Sequence, residues 1–160
     1  SARVKGEKST MLAQMLAPAA VLIAWSLIML VWMAATRLPA MGKAGGGLGN
    51  ARPGGRGQDL EGVLPDKINW KAHNYAHLME QPTLFYAVTI IIALLGASAF
   101  DVVAAWIYVA LRIVHSVWQA TVNVVKIRFL LFFLSSAALM YLAYRAIALT
   151  MFHDPSLAPA

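Results

Sequence analysis

Two rows of polar side chains run through apolar parts of the sequence. In the first row, His73, His77 and Glu80 follow one another at spacings of four and three, which places two imidazoles and a carboxylate on one helix face. The second row recurs at steps of four and three, through Tyr108, Arg112, His115, Gln119, Asn123 and Lys126. A charged group inside a membrane helix costs about 2.5–3.5 kcal/mol, so the rows are predicted to face each other or a wet cavity.

Glu80 and Arg112 are predicted to meet at one depth. At about 1.5 Å per residue, each lies ~20 Å along its helix from their shared loop side. His77 and His115 lie a turn nearer that surface, which predicts one pocket open toward the cytoplasm. The same pocket is lined by Gln119 and Asn123. Two interpretations stay open here: a functional pocket, or a buried Glu80–Arg112 ion pair that fixes the helix register.

A metal site is a third, weaker interpretation. His73, His77 and His115 with Glu80 supply enough nitrogen and oxygen ligands for zinc or iron. A lone carboxylate and the lack of paired Glu-x-x-His motifs argue against a di-iron centre, and we predict no bound metal. The sequence has no cysteine, which excludes thiolate metal sites and cysteine nucleophiles. No G-x-S-x-G turn supports a hydrolase.

The elements that must position these residues are membrane helices. Of the 160 residues, 60% are hydrophobic and 12% charged, and the mean hydropathy is +0.65; soluble domains are about half apolar and a quarter charged. The sequence predicts an all-α integral membrane protein, a four-helix bundle in a single domain over residues 1–160. The spans are expected at about 11–35, 66–95, 99–125 and 126–150.

Local signals set the expected helix boundaries. Ser9 and Thr10 are predicted to cap the first span, and Pro82 is predicted to kink the second. Ser98 with Asp101 has the form of a capping box that begins the third. A cleaved signal peptide is the less favoured interpretation of the first span, because its apolar run is longer than the usual signal sequence and its small-residue site is poor.

The connection over residues 36–65 holds nine of the eleven glycines and is predicted to be a flexible loop. Its glycines lack the Lys-Ser/Thr of a phosphate loop, and its arginine-glycine character is a weak RNA signal, so we expect no nucleic-acid partner. Pro155 and Pro159 predict a frayed C-terminal tail.

The distribution of Lys and Arg predicts the orientation. Loops one and three carry seven, against three before the first span, which favours loops one and three in the cytoplasm. The seven are Arg37, Lys43, Arg52, Arg56, Lys67, Lys126 and Arg128, and the three are Arg3, Lys5 and Lys8. The basic N-terminus argues the opposite way, since the first helix often dominates orientation.

Two segments, HLMEQPTLFYA (77–87) and AWIYVALRIVHSVWQATVNVVKIRF (105–129), together resemble the MAPEG family, the membrane-associated proteins in eicosanoid and glutathione metabolism. The resemblance is closest to the bacterial branch. Its pattern is an N-L-x-E-x-P-x-L-F-Y helix followed by an A-W-x-x-x-x-x-R-x-x-H-S helix that ends in an Asn and an Arg. The chain length, the four spans and the long first loop agree with that pattern.

The resemblance implies a four-helix protomer in a homotrimer of the bacterial inner membrane. It implies glutathione as co-substrate, bound between neighbouring subunits near the cytoplasmic face. By position, Glu80 is similar to the family's glutathione-binding carboxylate and Arg112 to the arginine that opens the polar stripe of the third helix. Lys126 or Arg128 falls near the arginine that stabilises the glutathione thiolate, since an opposite charge lowers the pKa of a thiol.

Three positions depart from the family pattern. His77 stands where Asn is usual, and His115 and Gln119 stand where glutathione-using members tend to carry tyrosines, which implies that the contacts to the tripeptide are not all reproduced. The residues expected to bind glutathione are His73, His77, Glu80, Arg112, Gln119 and Asn123, and those expected in catalysis are Arg128, Lys126 and His115.

Two function hypotheses follow. The first is a glutathione-dependent transferase or peroxidase that acts on lipophilic electrophiles entering from the membrane lipid, with His115 donating a proton to the product. The second is a non-catalytic lipid-binding or scaffold subunit of a larger membrane complex, in which the same residues form a structural network.

Overall fold

The first helix, α1 (Ala2–Gly45), extends well past both ends of its apolar run. In the computed structural model, which describes residues 2–152, α1 is followed by two short 3-10 turns and four more helices. The predicted cap at Ser9 and Thr10 is wrong, because both residues lie inside α1, where the Thr10 hydroxyl donates to the carbonyl of Gly6. At the N-terminal end, Glu7 and Lys8 are good helix formers and extend the helix before the apolar run. At the other end, α1 continues through Pro39 to the glycine run at residue 45.

The second span consists of two helices. α2 (Asp66–Leu78) and α3 (Pro82–Leu95) are separated by residues 79–81. The prediction of one helix kinked at Pro82 is therefore wrong. Pro82 occupies the first turn of α3, where its missing N–H needs no partner. The two helices together still form a 30-residue segment apolar enough to cross a membrane.

The last two spans form a helical hairpin. α4 (Ala99–Thr121) begins with the predicted capping box, in which Asp101 N donates to Ser98 Oγ (3.2 Å) and Ser98 N donates to Asp101 Oδ2 (2.9 Å). It ends before the predicted boundary at residue 125, because Asn123 adopts a left-handed φ of 55°, a conformation that terminates helices. α5 (Val125–Met151) starts and ends within one residue of its prediction.

The connection between α1 and α2 begins later than predicted, since α1 includes residues 36–45. It contains 3-10 turns at Gly47–Asn50 and Gly57–Leu60. The Arg37 side chain donates to the carbonyl of Gly57, and a Cβ at Gly57 would lie 3.1 Å from the guanidinium. The pKa of Asp59 is lowered, first by the hydrogen bond from the backbone N–H of Arg56 and then by one from the Arg52 side chain.

The four spans pack into one bundle with α4 against α1, α2 and α5, and α3 against α1 and α5. The core is mainly apolar, and its largest buried hydrophobic side chains are Met15, Leu22, Leu78, Phe85, Ile92, Tyr108, Val109 and Leu142. The described residues are helical and contain no strand, and four segments are long and apolar enough to span a membrane. The predicted all-α, four-span membrane fold is confirmed. Pro155 and Pro159, which carried the prediction about the tail, lie outside the described residues.

Candidate functional site

The buried guanidinium of Arg112 lies at the centre of the polar rows. Arg112 has no exposed surface. Its NH1 atom lies 3.4 Å from His77 Nε2, and NH2 donates to the His77 carbonyl at 3.3 Å. Its Nε atom has no hydrogen-bond partner among residues 2–152, and the guanidinium carbon lies 5.7 Å from the centroid of the Phe132 ring. Within the same residues, no carboxylate forms an ion pair with Arg112.

His77 separates Glu80 from Arg112. Glu80 Oε2 lies 2.9 Å from His77 Nδ1, and the Glu80 side chain is 67% exposed. The predicted direct contact between Glu80 and Arg112 is therefore wrong. The reason is the end of α2 at Leu78, because Glu80 lies in the break after it, where its side chain is largely exposed and reaches His77 rather than Arg112. Because a carboxylate only accepts, Nδ1 must donate to Glu80, which leaves Nε2 of the neutral imidazole to accept from Arg112.

The second imidazole, that of His115, completes a compact cluster. His115 is 2% exposed, and its ring centroid lies 4.9 Å from that of His77 and 6.4 Å from that of Phe132. One turn further along α4, Gln119 is buried and its Oε1 atom lacks a partner in the described part of the chain. The cluster therefore combines one cation, two imidazoles and an unsatisfied amide oxygen.

Arg128 and Lys126 differ in their surroundings. Arg128 is partly buried, and its NH1 atom donates to Asn123 Oδ1 at 2.7 Å. Lys126 is exposed. The left-handed turn at Asn123 places this amide one turn before Arg128. Of the two basic residues between which the sequence could not decide, Arg128 is the one held by a side chain of the predicted pocket.

His73 lies outside this cluster. Its imidazole pairs with Glu61 in the connection between α1 and α2, so the structure does not bring it to His77 and His115. Within the described range of 2–152, no three His, Asp or Glu side chains are grouped to hold a metal ion. The interpretation of His73, His77 and His115 as metal ligands is therefore wrong, because His73 is on the loop-facing end of α2 with a partner of its own.

A deeper hydrogen-bonded chain was missed in the sequence. The Tyr108 hydroxyl donates to Gln81 Oε1 at 3.2 Å, and Gln81 Nε2 donates to Ser136 Oγ at 2.8 Å. Gln81 belongs to the break between α2 and α3, and Tyr108 lies one turn before Arg112. Helical spacing predicts the row from Tyr108 to Gln119, but no spacing in the sequence indicates Gln81 or Ser136.

A second charged cluster occupies the other end of the α4–α5 hairpin. The buried Asp101 carboxylate accepts from Arg145 Nε at 2.9 Å and from Arg145 NH2 at 3.1 Å. It also accepts from the Tyr141 hydroxyl at 2.9 Å. The sequence pattern assigned Asp101 only to the cap at the start of α4. Their pairing could have been predicted from their positions in the sequence, because Asp101 and Arg145 each lie 22 residues from the turn at Asn123. In an antiparallel hairpin, equal distances from the turn place two residues at the same level.

The family model for MAPEG matches residues 15–148, which is most of the chain. The chain belongs to the MAPEG family. No curated protein and no solved structure matches the chain. The MAPEG match includes all of α2, α3 and α4, and so contains Arg112, His77, Glu80 and His115 together with Arg128.

MAPEG membership confirms the resemblance that the two segments indicate. The family includes glutathione transferases and peroxidases as well as non-catalytic members. The structure brings those two segments together, because the break between α2 and α3 packs beside α4 where Arg112 contacts His77. The two MAPEG segments therefore build one polar cluster rather than two separate features.

Proposed function

We propose that this MAPEG protein binds glutathione at the Arg112 cluster and transfers it to, or uses it to reduce, lipophilic electrophiles. The observation that carries the proposal is the guanidinium of Arg112, which is fully buried and, in the part of the chain that the structure describes, forms only two long hydrogen bonds, both to His77. A buried cation without a counterion is unfavourable, because desolvation is not offset by an opposite charge. An anionic ligand would supply that counterion.

Glutathione suits this cluster by its charges. The tripeptide carries two carboxylates and an ammonium group, with a thiol that reacts as the thiolate. We assign one carboxylate to Arg112 and the ammonium group to Glu80, whose side chain is 67% exposed. Gln119 Oε1 adds an acceptor, while Asn123 holds Arg128 in place.

Arg128 is our candidate for the residue that stabilises the thiolate. A guanidinium near a thiol favours the ionised form and so raises the concentration of the nucleophile. The hydrogen bond to Asn123 fixes Arg128 at the turn between α4 and α5, whereas Lys126 is exposed. We therefore assign the thiolate to Arg128 rather than to Lys126.

The proposed reaction is nucleophilic attack by the thiolate sulfur on an electrophilic carbon. A carbon–sulfur bond forms while the carbon–oxygen bond of an epoxide breaks, and the oxygen takes the electron pair. His115 passes to that oxygen the proton that the thiol releases when the thiolate forms. With a hydroperoxide, the sulfur instead attacks the distal oxygen, the oxygen–oxygen bond breaks, and the alkoxide leaves as the alcohol after taking the same proton. A second glutathione then converts the sulfenic acid to the disulfide and water.

We further propose a homotrimer in which the pocket lies between subunits, and an orientation with loops one and three in the cytoplasm of a bacterial inner membrane. The exposed Glu80 carboxylate supports an interface, because a charge on the surface of a membrane bundle requires a polar neighbour or water. The excess of Lys and Arg in those loops supports the orientation.

The first test is glutathione binding by calorimetry on the detergent-solubilised protein, with ultraviolet difference absorbance to detect the thiolate. Arg128→Gln is compared with Lys126→Gln as a matched pair. We expect saturable binding with a thiolate signal, a loss of that signal in Arg128→Gln and its retention in Lys126→Gln. Loss in Lys126→Gln alone would transfer the role to that lysine.

The second candidate function is a non-catalytic lipid-binding or scaffold subunit of a larger membrane complex. The observation that favours it is the replacement of family-typical side chains by His77, His115 and Gln119, which contact or neighbour Arg112. Absence of binding at millimolar glutathione, with a folded protein, would favour this function over the transferase or peroxidase.

A further inference from the structure

A groove lies between the C-terminal end of α1 and the start of α2. Its volume is about 440 Å³, which is within the usual range for small-molecule sites. Thr36, Ala40 and Lys43 line it from α1, and Leu64 and Ile68 line it from the other side. Leu64 is only 4% exposed and forms the floor. The groove is therefore largely apolar, with an amine at one end.

The groove begins where the hydrocarbon region of a membrane would end. The apolar run of α1 ends at Ala35, and the groove covers residues 36–44 of that helix, about 12 Å of its axis. Each headgroup layer of a bilayer is about 5–8 Å thick. The Thr36 end therefore lies beside the acyl chains and the Lys43 end at or just beyond the headgroups, within reach of a bent lysine side chain.

The rim of the groove is basic. Lys43 lines the groove, and Lys67 lies in the sequence between the lining residues Pro65 and Ile68. Both lysines are exposed, and neither forms an ion pair with a carboxylate anywhere in residues 2–152. Asp66 is the one carboxylate among residues 36–45 and 64–68. Arg37 turns instead to the carbonyl of Gly57. Two amines against one carboxylate give the rim a net positive charge, which attracts the anionic headgroups of a membrane.

We propose that this groove binds one anionic phospholipid, with an acyl chain along Ala40 and Leu64 and the phosphate beside Lys43. Basic pockets between membrane helices bind such headgroups, and the apolar floor adds a contact that a soluble anion cannot use. The proposal is independent of glutathione binding, because no residue of the groove belongs to the Arg112 cluster. The proposal also holds for either orientation of the chain in the membrane, because the groove lies beside loop one at whichever membrane surface that loop occupies.

The test counts lipids bound to the delipidated, detergent-solubilised protein by native mass spectrometry during titration with phosphatidylglycerol or phosphatidylcholine. Lys43→Gln removes the amine at the groove. Arg56→Gln is the matched control, because it removes one exposed positive charge from the same connection outside the groove. We expect one phosphatidylglycerol per chain, about fivefold weaker binding in Lys43→Gln, and less than a twofold change in Arg56→Gln.

Filling the groove tests the acyl-chain contact. Ala40→Phe is expected to abolish the specific phosphatidylglycerol, and Ala44→Phe, at an exposed rim position, serves as a second filler if the first variant does not fold. Binding that is unchanged in the folded fillers would overturn the proposal, as would equal losses in Lys43→Gln and Arg56→Gln. Binding of phosphatidylcholine with the same affinity as phosphatidylglycerol would also overturn it. Displacement by an equal concentration of glycerol phosphate would assign the site to soluble phosphate compounds instead.

Discussion

Two buried charges on α4 have opposite surroundings. Asp101, at the start of the helix, accepts two hydrogen bonds from Arg145 and one from Tyr141, all between 2.9 and 3.1 Å. Arg112, midway along the same helix, has only long hydrogen bonds to a neutral imidazole and a carbonyl. Among residues 2–152, the Asp101 carboxylate has an ion-pair partner and the Arg112 guanidinium has none.

The difference separates a structural cluster from a binding cluster. A buried carboxylate with a bidentate guanidinium is complete, so its loss is felt in stability. A buried cation without a counterion lowers the stability of the unliganded protein, and such groups are concentrated at functional sites. The two clusters should therefore respond to the same kind of substitution in opposite ways.

The largest expected effect is on the stability of the protein when the Asp101–Arg145 pair is broken. Arg145→Met leaves the Asp101 carboxylate buried without its cation and is expected to destabilise the protein by about 3 kcal/mol, measured by thermal unfolding in detergent. Arg145→Lys, the control, keeps the charge and should lose less than half as much. Glutathione affinity should stay unchanged in both. Unaltered unfolding of Arg145→Met would contradict a structural role for this cluster.

The Arg112 cluster is expected to respond in the opposite way, by losing glutathione affinity rather than stability. Arg112→Met removes a buried charge that has no counterion, so its unfolding free energy should stay within about 1 kcal/mol of the parent protein or rise. Glutathione affinity should fall by about ten- to a hundredfold, as expected for loss of a hydrogen bond between charged groups. Calorimetry and thermal unfolding of the same preparation measure both. A destabilisation equal to that of Arg145→Met would make Arg112 a structural residue.

A smaller effect is expected at the exposed end of the Arg112 cluster. Glu80→Gln keeps a hydrogen-bond acceptor for His77 but removes the charge assigned to the ammonium group of glutathione. Stability should change by less than about 0.5 kcal/mol, because the side chain is 67% exposed, and glutathione affinity should fall about fivefold. Dissociation of the assembled protein in Glu80→Gln, seen by light scattering in detergent, would favour the scaffold function.

The smallest effect belongs to a charge pair outside the bundle. Arg52 and Asp59 form an exposed ion pair at 3.1 Å, so Asp59→Asn should leave the unfolding temperature unchanged within error. The lowered pKa of Asp59 means that any contribution is present above its ordinary value of about 3.8 and is lost as the pH falls below it. A clear shift in the unfolding temperature at pH 7 would show that burial does not decide how much an ion pair contributes to the stability of this protein.

Much of the fold could be predicted from local sequence. Composition gave the four spans, and the Ser98–Asp101 spacing gave the start of α4. The ends of α1 could not be predicted from hydropathy, because a helix continues through polar helix formers such as those before Met11. The split at residues 79–81 was also missed, since Pro82 is compatible with both a kink and a new helix start.

The candidate site was predicted in part. Helical spacing and depth predicted His77 and His115 at one level, a turn from Arg112, and the ring contact between the two imidazoles and the approach of Arg112 to His77 agree with this. The prediction of a Glu80–Arg112 contact was wrong because it assumed one unbroken helix over residues 66–95. The Asp101–Arg145 pair was missed because it joins residues 44 apart in sequence, and only the position of the turn at Asn123 brings them to one level.

The break after Leu78 has an electrostatic consequence. A helix carries a partial negative charge of about half an electron at its C-terminal end, and α2 ends inside the membrane-spanning segment Asp66–Leu95. The His77 carbonyl that accepts from Arg112 NH2 belongs to this last turn. The dipole of α2 therefore points its negative end at the guanidinium, which lowers the energy of the cation without supplying the full negative charge of a counterion.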